Sequence, residues 1–154
     1  MSHRIETMSL HDFDEVIELW RNTEGVGLNE SDSRERIAHY LTRNRGMSFV
    51  VRDGKTIIGA VLCGHDGRRG YLHHLAVAKP HRKRGIGKAL VTACLHQLER
   101  EGISRCNIFL LADNAAGEAF WKRNGWSART DLAVMQRPVG QAQPAIATSR
   151  PPAQ

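Results

Sequence analysis

The sequence YLHHLAVAKPHRKRGIGKALVTACLHQLER, residues 71–100, joins a β-rich segment to an apolar helical run through a basic turn. After the turn, apolar residues recur at helical spacing at Ile86, Leu90, Cys94 and Leu98. Gly102 follows them and is typical of a helix end. The pattern therefore predicts a strand over residues 70–77 and a helix over residues 85–101.

The neighbouring segments extend this unit into a sheet. The segment CNIFLLAD is too short and too β-rich for a helix, so residues 106–112 are predicted as a buried strand parallel to residues 70–77. Upstream, Asp-Gly pairs at residues 53–54 and 66–67 mark the turns of an antiparallel meander. These patterns together predict an α/β fold.

The other elements are predicted from shorter patterns. They are a strand near residues 3–8, a helix with apolar positions from Phe13 to Trp20, a second helix carrying Ile37, Tyr40 and Leu41, a fourth helix over residues 115–123 and a last strand over residues 128–136. Asp32 and Glu35 are predicted to cap the second helix.

Length and composition limit the class of protein. The chain has 154 residues, which predicts one domain over residues 1–140, and the proline- and alanine-rich tail 141–154 is predicted to be disordered. Its formal net charge of +6 indicates an anionic partner. Three scattered cysteines indicate buried thiols, and no segment is apolar enough to span a bilayer. We therefore expect a cytoplasmic protein with no membrane partner.

Residues 82–87 have the features of an anion-binding turn. Backbone amides and the helix dipole favour an anion at a helix start, and glycine at positions 85 and 87 lets a phosphate approach the main chain. The charge comes from Arg82, Lys83, Arg84 and Lys88. A Rossmann interpretation is weak because the third glycine is missing, and a P-loop lacks its hydroxyl residue. A solvated basic turn is the structural alternative.

Two motifs resemble the GNAT N-acetyltransferases. Arg82-x-x-Gly85-x-Gly87 matches the Q/R-x-x-G-x-G/A coenzyme A signature, and DNAAGEAFWKRNGW (113–126) is similar to the family's second landmark. Within the family, the chain resembles the small, single-domain bacterial branch that includes YpeA-like proteins. The resemblance implies a mixed, mostly antiparallel sheet, flanked by helices, whose fourth and fifth strands splay apart to hold coenzyme A.

The resemblance also implies roles toward coenzyme A. The main chain of Leu75, Ala76 and Val77 would pair with the pantetheine arm, and the loop amides from Lys83 through Gly85, Ile86 and Gly87 to Lys88 would hold the pyrophosphate. Asn114 matches the family's asparagine near the pantetheine arm, or it caps a helix. Trp121 replaces the family's tyrosine acid, and its indole cannot supply that proton. It packs in the core or lies along the pantetheine arm.

Candidate catalytic residues come from the strand before the loop. Side chains alternate along a strand, which predicts that Tyr71 and His73 share one face and that His74 lies on the other. His73 is the candidate base and Tyr71 the candidate acid, although a core histidine is the common alternative. Phe109, at another family base position, is apolar. Glu24, Glu30 and Asp32 could attract a cationic amine or could be surface and capping residues.

The resemblance favours an acetyl-CoA-dependent N-acetyltransferase. We expect direct attack by a primary amine of a small molecule, peptide or protein within a ternary complex, with acetyl-CoA as cosubstrate and no metal. A catalytically weak coenzyme A sensor is the alternative. A nucleic-acid-binding domain is less favoured, since the sequence lacks a base-stacking aromatic array. The sequence does not decide whether the protein forms a homodimer.

Overall fold

The computed structural model describes residues 3–140, so the predicted tail 141–154 lies outside the described residues. These residues form β1 (His3–Thr7), α1 (Phe13–Arg21), α2 (Arg34–Arg43), β2 (Phe49–Asp53), β3 (Thr56–His65), β4 (Gly70–Val77), α3 (Ile86–Arg100), β5 (Cys106–Ile108) and α4 (Ala115–Arg123). They fall into two compact units, which divide between Phe109 and Leu110. None of the described helices is long and apolar enough to cross a membrane.

The first unit contains a five-stranded sheet in the order β1-β2-β3-β4-β5. Successive strands pair antiparallel from β1 to β4, whereas β4 and β5 are parallel. The glycine of the turn between β2 and β3, Gly54, has a φ of +64°, a conformation that favours glycine. The mixed, mostly antiparallel sheet is therefore confirmed.

Helices cover both faces of the sheet. The core beside α1 and α2 includes Val16, Trp20 and Ile37 together with Ala60 of β3. Gly59 is the residue before Ala60 on β3, and a Cβ built on it would lie 3.1 Å from side-chain atoms of α3. Because neighbouring strand residues point to opposite faces, α3 packs on the face opposite α1 and α2. This arrangement leaves the start of α3 beside the end of β4.

A β-bulge interrupts β4 and changes the predicted alternation of side chains. His73 pairs with Leu62 and Ala76 pairs with Ala60, so β4 has one more residue than β3 between these pairs. The backbone of His74, within this bulge, has a φ of +57°. The prediction that His74 lies opposite His73 is wrong, because the extra residue brings both rings to the α1 and α2 face.

Three other details differ from the sequence predictions. β5 ends at Ile108 rather than at residue 112, and none of the described residues pairs with 128–136, so the predicted last strand is not formed. A strand needs a neighbouring backbone, and hydrophobicity alone does not supply one. The cap of α2 is Ser33, whose hydroxyl accepts a hydrogen bond from the Arg36 amide, rather than Asp32 or Glu35.

Candidate active site

The turn between β4 and α3 exposes backbone amides at a helix start. Gly85 is the residue before the helix and has a φ of +80°, and the first helical hydrogen bond runs from the Ala89 amide to its carbonyl. Apart from Gly85 itself and its two neighbours in sequence, no atom of the described chain lies within 4 Å of a Cβ built on Gly85. The helix therefore begins with unpaired amides beside open space, as an anion site requires.

The basic side chains of this turn have different roles. Arg82 folds back, because its Nε donates a hydrogen bond of 2.9 Å to the Val77 carbonyl at the end of β4. Lys83, Arg84 and Lys88 are exposed, and within residues 3–140 none of them forms an ion pair. Three cations thus remain available to an anion, while Arg82 fixes the start of the turn.

One side of β4 is open beyond its middle. The parallel pairing with β5 covers Gly70, Tyr71 and Leu72 and ends there, whereas β4 continues to Val77. The part of β4 that carries Leu75, Ala76 and Val77 therefore has no strand partner on the β5 side among the described residues. An unpaired strand edge of this kind can accept an extended ligand as if it were another strand.

His73 lies in an aromatic cluster formed by Tyr40, Tyr71, His73 and Phe109. Its ring centroid is 6.3 Å from that of Tyr71 and 6.2 Å from that of Phe109, with nearly parallel planes. Tyr40 of α2 lies edge-on to His73, with centroids 6.3 Å apart. Burial, followed by the nearby His74, lowers the pKa of His73 below its ordinary value of 6.5. The lowered pKa favours the neutral form of the imidazole.

His74 and Asp32 form a pair that the sequence analysis missed. His74 Nε2 lies 2.9 Å from Asp32 Oδ1, and the His74 ring lies 5.0 Å from that of Trp20. Asp32 Oδ2 accepts a hydrogen bond from the Asn29 amide, so both carboxylate oxygens have partners. Asp32 is buried, which corrects its surface interpretation. The adjacent histidines were the available signal, but only the bulge directs His74 to Asp32.

Glu24 and Glu30, the other acidic residues considered for the acceptor pocket, lie outside this pair. Glu30 is exposed, and neither side chain makes a hydrogen bond or an ion pair within residues 3–140. Neither residue therefore joins the His73 or His74 side chains in a preformed network.

The second unit contains the other two predicted coenzyme A residues. Asn114 caps α4, because its Oδ1 accepts a hydrogen bond of 2.9 Å from the Gly117 amide. Trp121 is half-buried and packs edge-on against Trp126 and Phe120, with ring centroids 4.9 and 5.2 Å away. Capping and aromatic packing account for both residues locally, and their roles toward coenzyme A stay predictions.

Comparison with known proteins shows which family has these features. The sequence model of the acetyltransferase (GNAT) family matches residues 13–126. An acetyltransferase of Yersinia pestis (strain Pestoides F) is 28% identical over 126 residues, covering 82% of this chain and 89% of that protein. N-alpha-acetyltransferase 30 of Schizosaccharomyces pombe is 31% identical over 104 residues, covering 64% of this chain and 69% of that protein.

A solved structure has the same fold. The PaiA N-acetyltransferase of Thermoplasma acidophilum, in complex with coenzyme A, superposes with a TM-score of 0.74 at 20% sequence identity. The likeness covers 84% of this chain and 92% of the PaiA chain. With its mixed sheet, its glycine turn and a family match over most of its length, the chain belongs to the GNAT family and is an N-acetyltransferase.

Proposed function

We propose that the chain transfers an acetyl group from acetyl-CoA to a primary amine by direct attack within a ternary complex. The observation that carries this proposal is the position of the glycine turn. The start of α3, with its exposed amides, adjoins the open part of β4 through the Arg82–Val77 hydrogen bond, so helix-start amides and an unpaired strand edge occur side by side. The acetyltransferase domain is proposed to span residues 1–140.

The proposed coenzyme A site uses the turn and the open strand edge together. The amides from Lys83 to Lys88 bind the pyrophosphate, and the exposed cations of the turn balance its charge. The main chain from Leu75 to Val77 pairs with the pantetheine arm. The space beside Gly85 supports this assignment, because a phosphate can approach the backbone there without meeting a side chain.

His73 is proposed as the base. An alkylammonium acceptor with a pKa of about 10.4 must lose a proton before it can attack the thioester carbonyl. Burial lowers the pKa of His73, which favours the neutral imidazole, and a neutral imidazole can accept this proton directly or through one water. Its position on β4, two residues before Leu75, supports a role beside the reacting thioester.

Tyr71 is proposed as the acid that protonates the departing thiolate. Its ring stacks against Phe109 with centroids 6.0 Å apart and lies parallel to that of His73. The bulge at His74 follows both residues, so Tyr71 and His73 keep the shared face that strand alternation predicts. Acid and base would therefore act from the same side of β4. Coenzyme A is a modest leaving group with a thiol pKa of about 8.5, so a hydroxyl within reach can assist its departure.

The acceptor is proposed to be a primary amine of a small molecule or of a peptide or protein. One experiment tests both steps of the proposal: acetyl-CoA affinity is measured by calorimetry, and turnover is measured by thiol release over a panel of polyamines, aminoglycosides, amino acids and peptides. Binding with turnover of at least one amine class is expected. Binding without turnover would favour the sensor, and absence of binding would contradict the site.

A further inference from the structure

Three ligand-type side chains meet at one edge of the sheet, outside the residues assigned to acetyl transfer. His3 begins β1, Asp53 ends β2, and His81 ends the 3₁₀ turn Lys79–His81 that follows β4. One potential ligand atom from each of the three residues lies within 4.8 Å of the other two. Two imidazoles and one carboxylate, contributed by separate segments of the chain, thus converge on one point.

The local structure places the three residues for separate reasons. His3 and Asp53 are directly opposite each other in the antiparallel pairing of β1 and β2, so their side chains lie on the same face. Asp53 also starts the tight turn into β3, where Gly54 takes a positive φ. His81 is held by its amide, which donates a 2.8 Å hydrogen bond to the Ala78 carbonyl.

Two ring nitrogens of this cluster have no hydrogen-bond partner among the described residues. His3 Nε2 and His81 Nδ1 are shielded from solvent, yet neither forms a hydrogen bond within residues 3–140. The Asp53 carboxylate forms no ion pair within the same residues, and the neighbouring Arg4 binds Glu6 at 3.5 Å. A shielded ring nitrogen without a partner is unfavourable, and a bound cation would supply the missing partner.

We propose that His3, Asp53 and His81 bind one divalent transition-metal ion, with zinc as the ion that best suits the donor set. Zinc is bound in proteins by imidazole nitrogens and carboxylate oxygens, and three protein ligands leave a fourth position for water. Coordination would satisfy both histidine nitrogens and the carboxylate at once.

The cluster must contract slightly to bind the metal. Ligand atoms of a tetrahedral zinc site lie about 3.4 Å apart for bonds of about 2.1 Å, compared with separations of up to 4.8 Å here. Side-chain rotation can supply this difference, because all three residues are only half-buried. The ion would fasten β1 and the turn after β2 to the segment that leads directly into Arg82 and the glycine turn.

The test is a zinc titration of the full chain without an affinity tag, followed by calorimetry and by the melting temperature. We expect one ion per chain and a rise in melting temperature, because a ligand selective for the folded state stabilises it. Asp53→Asn keeps the turn and removes the charge, and His81→Ala removes one donor. Each is expected to weaken zinc affinity at least tenfold and to abolish the thermal shift.

His96→Ala is the matched control, since His96 is an exposed histidine on α3 that takes no part in the cluster. It should bind zinc like the wild type. Circular dichroism without metal verifies that each variant is folded, and His3→Gln gives a third variant if His81→Ala is not. Wild-type affinity in folded Asp53→Asn and in a folded histidine variant would overturn the proposal, as would the absence of stoichiometric binding.

Discussion

Nε2 of His74 lies 2.9 Å from Oδ1 of Asp32, which connects the bulge of β4 to the loop before α2. His74 occupies a left-handed backbone conformation that costs a non-glycine residue on the order of 1–3 kcal/mol. The bond to a buried carboxylate and the contact with the Trp20 ring offset this cost. We therefore expect the pair to stabilise the bulge beside the proposed site.

Replacement of Asp32 by Asn should destabilise the protein. The change removes the charge that His74 contacts, and a hydrogen bond to a charged group contributes about 2 kcal/mol. We expect the free energy of unfolding in urea to fall by about that amount. Asp14→Asn is the control, because Asp14 is exposed and lies 3.9 Å from Arg34. Equal stabilities of the Asp32 and Asp14 variants would show that the pair does not hold the bulge.

Substitution of Gly85 by Ala should weaken coenzyme A binding. Gly85 and Gly102 flank the two ends of α3 with φ values of +80° and +79°. A Cβ on either would have no atom of the described chain within 4 Å apart from the residue itself and its sequence neighbours. Alanine at either site should cost about 1 kcal/mol of stability through backbone strain. Only Gly85→Ala should lose coenzyme A affinity, by about tenfold or more in calorimetry. Equal coenzyme A affinities of the two variants would contradict the assignment of the pyrophosphate to this turn.

The sequence predicted α3 to within one residue at each end because its apolar stripe and flanking glycines are local signals. It also predicted the turn between β4 and α3, whose glycines and cations are adjacent in sequence, while phosphate binding there stays a prediction. The bulge was not predicted, since the φ of His74 depends on the register with β3, and the residues of β4 alone do not indicate that register. The surface alternative for Asp32 was wrong for a related reason: its contact with His74 follows from the bulge, which the sequence did not predict.

Replacement of His73 by Ala should lower turnover by about a hundredfold while leaving acetyl-CoA binding intact. High pH should restore part of the rate, because the amine then loses its proton without help. A substitution of His74 is not a suitable control, since the His74 ring lies 6.5 Å from that of His73 and its loss could disturb His73. His39→Ala, on the exposed side of α2, serves instead. Equal turnover for His73→Ala and wild type from about pH 6 to 9 would exclude His73 as the base.

His73 should also make stability depend on pH. Its pKa is below 6.5 in the folded protein, so the unfolded chain binds more protons as the pH falls through 6.5. Its contribution to the free energy of unfolding is thus largest above pH 6.5 and decreases toward the lower, folded-state pKa. In urea denaturation from about pH 7.5 to 5, the free energy of unfolding should fall less for His73→Gln than for the wild type. Parallel curves would contradict this.

The two tyrosines of the aromatic cluster provide a matched test of the acid. Tyr71 and Tyr40 have ring centroids at the same 6.3 Å from His73, but Tyr71 extends from β4 and Tyr40 from α2. Burial raises the pKa of Tyr40 above its ordinary value, and a Cβ built on Gly64 would lie 2.6 Å from the Tyr40 hydroxyl, so that oxygen packs against β3.

Tyr71→Phe should therefore lower kcat about a hundredfold with acetyl-CoA, while Tyr40→Phe should change it little. An acyl donor with a more acidic leaving thiol should recover much of the rate in Tyr71→Phe, because such a thiolate departs without a proton. Steady-state kinetics with both donors measures this difference. A larger loss of kcat in Tyr40→Phe than in Tyr71→Phe would indicate that the acid is Tyr40 on α2. Unchanged kcat in both variants would leave water as the proton donor to the thiolate.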